Sequence, residues 1–284
     1  MENEKASGDL RRIQLLQVRI LEEVDRICRK KKLKYYIIAG TLLGAVRHGG
    51  FIPWDSDIDI AMFRDDYEKF VREGNEIIDK RFFIQSDYSD KHHRYAFAKV
   101  RVNETKFIEK GNKMKDSHYG FYLDIFVLDD IKSQPSKMDY FNAKLLKLFM
   151  RIKAFRSGQI HSTKVFRTAI AVIGAGMTFF LSRRTINNMI NRIMTKDNNK
   201  GYGLVTNYCS RYGILKQTMP KEVYGEPVEI EFEGRKFLAP NKYLNWLERI
   251  YGDYMKLPPP EKRRMTVSDK YEYDLGPYKN IEVD

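Results

Sequence analysis

The stretch GTLLGAVRHGGFIPWDSDIDIAM, Gly40 to Met62, decides how this chain is read. It sets Asp55, Asp57 and Asp59 at alternating positions behind two glycine turns. Like charges crowded in this way call for a compensating cation. After Pro53 the run DIDIAMF alternates acid and apolar residues, which predicts a strand with Asp57 and Asp59 on one face and Ile58 and Ile60 on the other. Just upstream, YYIIAG (35–40) reads as a short buried strand, and TLLGAVRHGG as a helical turn closed by Gly49 and Gly50.

Working outward, Ile13, Leu16, Ile20, Val24 and Ile27 recur at three- and four-residue spacing, which predicts an amphipathic helix over 10–32. RYAFAKVRVNETKFIE (94–109) reads as strands around a turn at NET, with Lys99 and Arg101 on one face. GFYLDIFVLDDI (120–131) is a strongly apolar strand with one acid, Asp124, at its centre. A buried carboxylate there must meet a proton, a base or a metal. Residues 136–200 read as basic and helix-compatible. The last third holds an expected helix at 201–212, a hairpin VEIEFEGRKFLAP, a helix NKYLNWLERIYG and a Pro-rich segment, KLPPPEKRR. There is no internal repeat and no low-complexity tract.

At 284 residues, 43% hydrophobic and 13% aromatic, the chain has material for one large or two modest domains. Cys28 and Cys209 are far apart and lie in no CxxC or Cys/His ladder, which excludes a disulfide framework or zinc module and fits a reducing, cytoplasmic setting. The charged opening MENEKASGDLRR lacks an apolar core, so no secretory signal is expected. The net charge is +13, and residues 131–200 supply most of it: 14 Lys/Arg against Asp139 and Asp197, or +12.

Two carboxylates at i and i+2 on a strand reach one divalent cation, and a third from a neighbouring strand completes an oxygen-rich site. Magnesium suits such sparse ligation, because it keeps positions for water and substrate phosphates. Asp57, Asp59 and Asp124 are the expected catalytic and metal-binding set, and the chemistry implied is phosphoryl or nucleotidyl transfer. Asp55 is a further ligand, an orienting residue or a turn residue. Gly40 and Thr41 would let a phosphate approach the backbone, although a glycine after a strand is also ordinary turn chemistry. No Walker motif or dinucleotide fingerprint follows a strand, so P-loop and Rossmann readings are excluded.

The Gly40–Met62 stretch resembles the signature of the LicD family, whose Gly-Thr turn and Asp57-Ile58-Asp59 are similar to the nucleotidyltransferase-superfamily pattern. GFYLDIFVLDD resembles that family's second block and YGDYMKLPPPEKR its closing block, so the likeness runs from about residue 10 to 264. It departs at Ser56, where many members carry Asp, and at Met265, where the family often has His.

The resemblance implies an α/β (α+β) fold: a nucleotidyltransferase-like mixed sheet flanked by helices. Its expected organisation is a catalytic core at 1–130, a basic helical insertion at 131–200 and a C-terminal part at 201–284 that completes core and site. It further implies transfer of phosphocholine from CDP-choline to a sugar hydroxyl of a cell-surface glycan such as a lipid-linked teichoic acid precursor, releasing CMP. Carried onto this chain, Asp57 and Asp59 would bind one or two Mg2+ ions, Asp124 would be a ligand or the base, and Asp55 would complete or orient the site. Glycerol- or ribitol-phosphate transfer from a CDP-activated donor, and nucleotidyl transfer, are the enzymatic alternatives.

Arg47, Lys99 and Arg101 are candidate phosphate contacts, against the ordinary reading of Lys99 and Arg101 as a solvated pair. Choline is held by aromatic faces, for which Trp54, Tyr251 and Tyr254 are candidates. His48, His118 and His161 read as structural or surface residues, and adjacent His92 and His93 as a poor metal pair. The uncharged run TAIAVIGAGMTFFLS (168–182), between Arg167 and Arg183, is short for a membrane span. With its basic surroundings it suits peripheral docking on the anionic inner face of a cell membrane, or else a buried helix. A nucleic-acid-binding protein is the non-enzyme alternative, and the lack of an RNP pattern or zinc module disfavours it.

Overall fold

A computed structural model describes residues 6, 8–110, 117–133, 136–157, 174, 176, 179–263 and 267–281. The strand β6 (Tyr122–Ile131) is its spine. β2 (Asp59–Phe63) runs parallel to β6, and β4 (Ala98–Val102) runs antiparallel on the other side. β1 (Tyr36–Ile37) extends the sheet beyond β2 and β3 (Phe82–Gln85) beyond β4, giving the order β1-β2-β6-β4-β3. β7 (Leu204–Thr206) pairs with the far end of β6, and β8 (Met219–Pro220) with β7. The sheet is mixed and helix-flanked, as the family resemblance implies.

Along β6 the residues alternate as period-two geometry requires. Leu123, Ile125 and Val127 are buried on one face, and Tyr122, Asp124 and Phe126 occupy the other. The core side is covered by α1 (Gly8–Lys31), whose Ile13, Leu16, Ile20, Val24 and Ile27 have no exposed surface and which packs against β4 and β6. α2 (Ala39–His48) ends at Gly49, whose φ of 68° allows the left-handed turn that caps it. α3 (Arg64–Glu73) follows β2 directly.

α4 (Lys137–Arg156) begins with a Ser136/Asp139 capping box and packs on α5 (Arg183–Thr195), which Ser182 caps. Of the apolar run 168–182 only residues 174, 176 and 179–182 are described, so its reading as a helix lies outside the described residues. No described helix is long and apolar enough to cross a membrane. The predicted hairpin forms as β9 (Val228–Phe232) and β10 (Arg235–Ala239), and the predicted C-terminal helix as α6 (Tyr243–Tyr251).

Three local expectations are corrected. The segment 201–212 is not a helix: Gly201 and Gly203 take positive φ and the chain enters β7, because pairing with β6 outweighs local propensity. Asp57 precedes β2 instead of lying within it. β5 (Lys106–Glu109) leaves β4 after the NET turn to pair with β11 (Tyr271–Asp274).

Candidate active site

The parallel register sets Asp59 opposite Asp124, and the antiparallel register sets Asp124 opposite Lys99 and Lys99 opposite Gln85. One polar row, Asp59-Asp124-Lys99-Gln85, thus crosses four strands on the face away from α1. The Lys99 ammonium bonds Asp124 and sits over three rings, 3.5 Å from the Tyr122 centroid, 4.6 Å from Tyr95 and 5.4 Å from Phe97. Arg101 continues the network, donating to Gln85 Oε1 at 2.6 Å and to the Gly120 carbonyl at 2.8 Å. Lys99 and Arg101 are buried, so they are not the solvated pair an exposed strand would carry.

Asp55, Asp57 and Asp59 are half-buried at the end of this row. Two devices set the loop that carries them. Gln14 and Gln17, polar residues on the apolar face of α1, donate to the carbonyls of Asp55 and Ser56. Thr41 is buried and its hydroxyl accepts from the Asp59 amide at 2.9 Å. Gly40 leaves room for Asp55: a Cβ there would come within 2.4 Å of Asp55 Oδ2. Gly40 and Thr41 therefore position the aspartates, whatever else they touch.

The electrostatics follow from crowding. Burial, then the Asp57 charge and a hydrogen bond with Asp57, push the Asp55 carboxyl well above the usual range. Burial and the charges of Asp57, Asp124 and Asp55 do the same to Asp59. Burial also raises Asp124, with Lys99 opposing it. Among the described residues no ion pair neutralises Asp55, Asp57 or Asp59, and no group of three or more His, Cys, Asp or Glu side chains is placed to hold one ion. Asp124 is instead engaged by Lys99. The donor set fits a hard cation taken by one or two carboxylates that completes its shell with water and phosphate oxygens.

Around these carboxylates stand the expected Tyr251 and two residues the motif reading passed over, Tyr271 and Arg211. Tyr271, stacked on Phe107 at 4.2 Å, is raised to about 12 by burial and by Asp57. Tyr251 is raised by burial, by Tyr212 and by the Asp59 and Asp55 charges. Arg211 is exposed and feels Asp57 and Asp59. Only Gln14 and Gln17 left a sequence signal, two amides on an otherwise apolar stripe.

The remaining candidates are more distant in role. Arg47 is buried and donates to His48 Nε2 at 3.0 Å and to the Tyr254 carbonyl at 3.1 Å. Trp54 is half-buried and meets the His48 ring edge-on at 6.3 Å. His93 Nε2 donates to the Phe97 carbonyl at 2.7 Å, and His118 pairs with Asn103.

A mixed α/β sheet with acids on adjacent strands beneath a Gly-Thr turn defines a nucleotidyltransferase-type domain. The LicD/FKTN/FKRP nucleotidyltransferase domain model matches residues 32–142. Lipopolysaccharide cholinephosphotransferase LicD of Haemophilus influenzae is 30% identical over 262 residues, covering 90% of this chain and 94% of that protein. Ribitol 5-phosphate transferase FKRP of Homo sapiens is 36% identical over 56 residues, 18% of this chain and 11% of that protein. The chain belongs to the LicD family.

Proposed function

We propose that the chain transfers phosphocholine from CDP-choline to a sugar hydroxyl of a cell-surface glycan, with Mg2+ and with release of CMP. The observation that carries this reading is the Asp59-Asp124-Lys99 row beside Asp57 at the loop end of the sheet. The match to a cholinephosphotransferase along 94% of its length favours choline as the donor group.

Asp57 and Asp59 would hold the ion, which when bound supplies charge against the donor's phosphate oxygens. Asp124 accepts the proton of the sugar hydroxyl, and the raised affinity that burial gives it for a proton suits a base. The hydroxyl oxygen forms a bond to the choline-bearing phosphorus. The bond from that phosphorus to the bridging oxygen breaks, and CMP leaves with the electron pair. Lys99, whose ammonium lies beside Asp124 and over the aromatic faces, balances charge gathering on the phosphoryl oxygens.

Peripheral membrane contact is part of the proposal. Phe179 and Phe180 are 73% and 93% exposed just before Arg183 and Arg184, and Met138, Tyr140 and Phe141 are exposed on α4. Apolar side chains beside cations suit an anionic bilayer surface, where a lipid-linked acceptor would reside.

The test is CMP release with Mg2+ from CDP-choline, CDP-glycerol and CDP-ribitol, using a membrane lipid extract as acceptor and comparing the chain with Asp57→Asn and Asp59→Asn. Release from CDP-choline alone, lost in both variants, is expected. Release from CDP-ribitol instead favours polyol phosphate, the activity in the name of the human relative. Silence from every donor overturns the reading.

A further inference from the structure

The sheet face bearing Lys99 and Asp124 continues into a groove of about 610 Å³ between α3 and α5. Tyr95 and Phe97 are the shared wall, lining the groove and also facing the Lys99 ammonium. The groove therefore ends one aromatic ring from the Lys99-Asp124 pair.

Its lining holds polar groups that the fold leaves unused. Arg183 Nη2, Asn187 Oδ1 and His93 Nδ1 are buried with no hydrogen-bond partner, whereas buried polar atoms are normally satisfied. With Nε2 donating to the Phe97 carbonyl, Nδ1 of a neutral His93 ring is an acceptor. The charges are unbalanced too. Glu68 is met by Arg72 and Asp87 by Lys153, and Arg64 is taken up by Asp129. Lys91, Arg183 and Arg184 line the groove outside any close ion pair among the described residues, with Asp87 and Asp90 acting on Arg183 only at longer range.

Cations outside close ion pairs beside unused acceptors and tyrosine faces match one ligand chemistry, a polyhydroxylated ring that carries an anionic ester. We infer that this groove is the acceptor subsite and takes a saccharide bearing a phosphate or pyrophosphate ester. Lys91, Arg183 and Arg184 receive the ester, Asn187 and His93 accept from sugar hydroxyls, and the ring next to Tyr95 presents its hydroxyl toward Asp124. The inference rests on the transfer reading above and deepens it.

Isothermal titration calorimetry of the full chain, without donor or metal, tests it with maltosyl diphosphate, maltosyl phosphate, maltose and inorganic pyrophosphate. The better maltosyl ester is expected to bind at least ten-fold more tightly than maltose or pyrophosphate, and which ester it is distinguishes a phosphate from a pyrophosphate acceptor. Arg183→Ala and Arg184→Glu should each weaken it at least ten-fold. Arg184 is exposed, so its replacement leaves packing intact if Arg183→Ala does not fold. Asn187→Ala should weaken the maltosyl ester and leave pyrophosphate unchanged. No binding by the unmodified chain, or equal binding by all variants, overturns the groove. A chain that binds the ester yet releases no CMP from any donor keeps the groove and discards the transfer reading.

Discussion

Lys99 on β4 bonds Asp124 on β6 across the sheet, its ammonium 3.5 Å from the centre of the Tyr122 ring. The pair is buried, so neither partner is replaced by water when the other is removed. Lys99→Met strands a buried carboxylate and should cost about 3 kcal/mol of stability, read by urea unfolding. Its rate of CMP release should fall at least a hundred-fold. Lys99→Arg should not restore the rate, because a planar guanidinium cannot take the place of a compact ammonium among three rings. Full activity in Lys99→Met would remove Lys99 from the mechanism.

Asp59 gives a pH prediction. Its folded carboxyl holds a proton above the usual carboxylate range because of burial and the charges of Asp57, Asp124 and Asp55. Between the unfolded value and that raised value the native state binds more protons than the unfolded chain, so metal-free stability falls as pH rises through this window. Asp59→Asn should therefore melt higher than the unmodified chain in EDTA at pH 7, with the difference vanishing below the unfolded value. Mg2+ should raise the melting temperature of the unmodified chain more than that of the variant. A pH-independent difference would show that Asp59 is not under electrostatic strain.

Gly40→Ala separates positioning from folding. The new Cβ meets Asp55 Oδ2, the movable end of a side chain, while the first turn of α2 gains the better helix former. Stability should hold or rise while CMP release drops ten-fold or more. Unchanged activity would show that the orientation of Asp55 is immaterial.

Gln17→Leu removes the donor that α1 offers the Ser56 carbonyl, and Gln14→Leu the 2.8 Å bond to the Asp55 carbonyl. Each should cost about 1–2 kcal/mol in denaturant titrations. Activity should fall by more than unfolding explains, because the loop carrying the aspartates loses its brace. Losses of activity that track stability alone would make the helix a packing element only.

Phe179 and Phe180 test the membrane proposal. Burying one such ring is worth about 2 kcal/mol, so Phe180→Ser should reduce co-sedimentation with phosphatidylglycerol vesicles at least ten-fold. Equal partition of variant and unmodified chain would remove this segment from the contact.

The sequence by itself determined the elements that rest on local periodicity and on one long motif. Hydrophobic spacing placed α1, acid-apolar alternation placed β2, and the single acid within an apolar run singled out Asp124 before any pairing was known. Glycine chemistry placed the turn after α2. Only the tertiary structure decided which residues meet. The register of β2, β6 and β4 gathers Asp59, Asp124 and Lys99 from positions far apart in the chain, and the bundling of α5 with α4 places Arg183 and Asn187 along the groove. Segment 201–212 shows the same limit, since β7 takes its form from the edge of β6. Periodicity is written within each segment, whereas register and burial arise from contacts between segments, and those contacts raise the proton affinity of Asp55, Asp59 and Asp124.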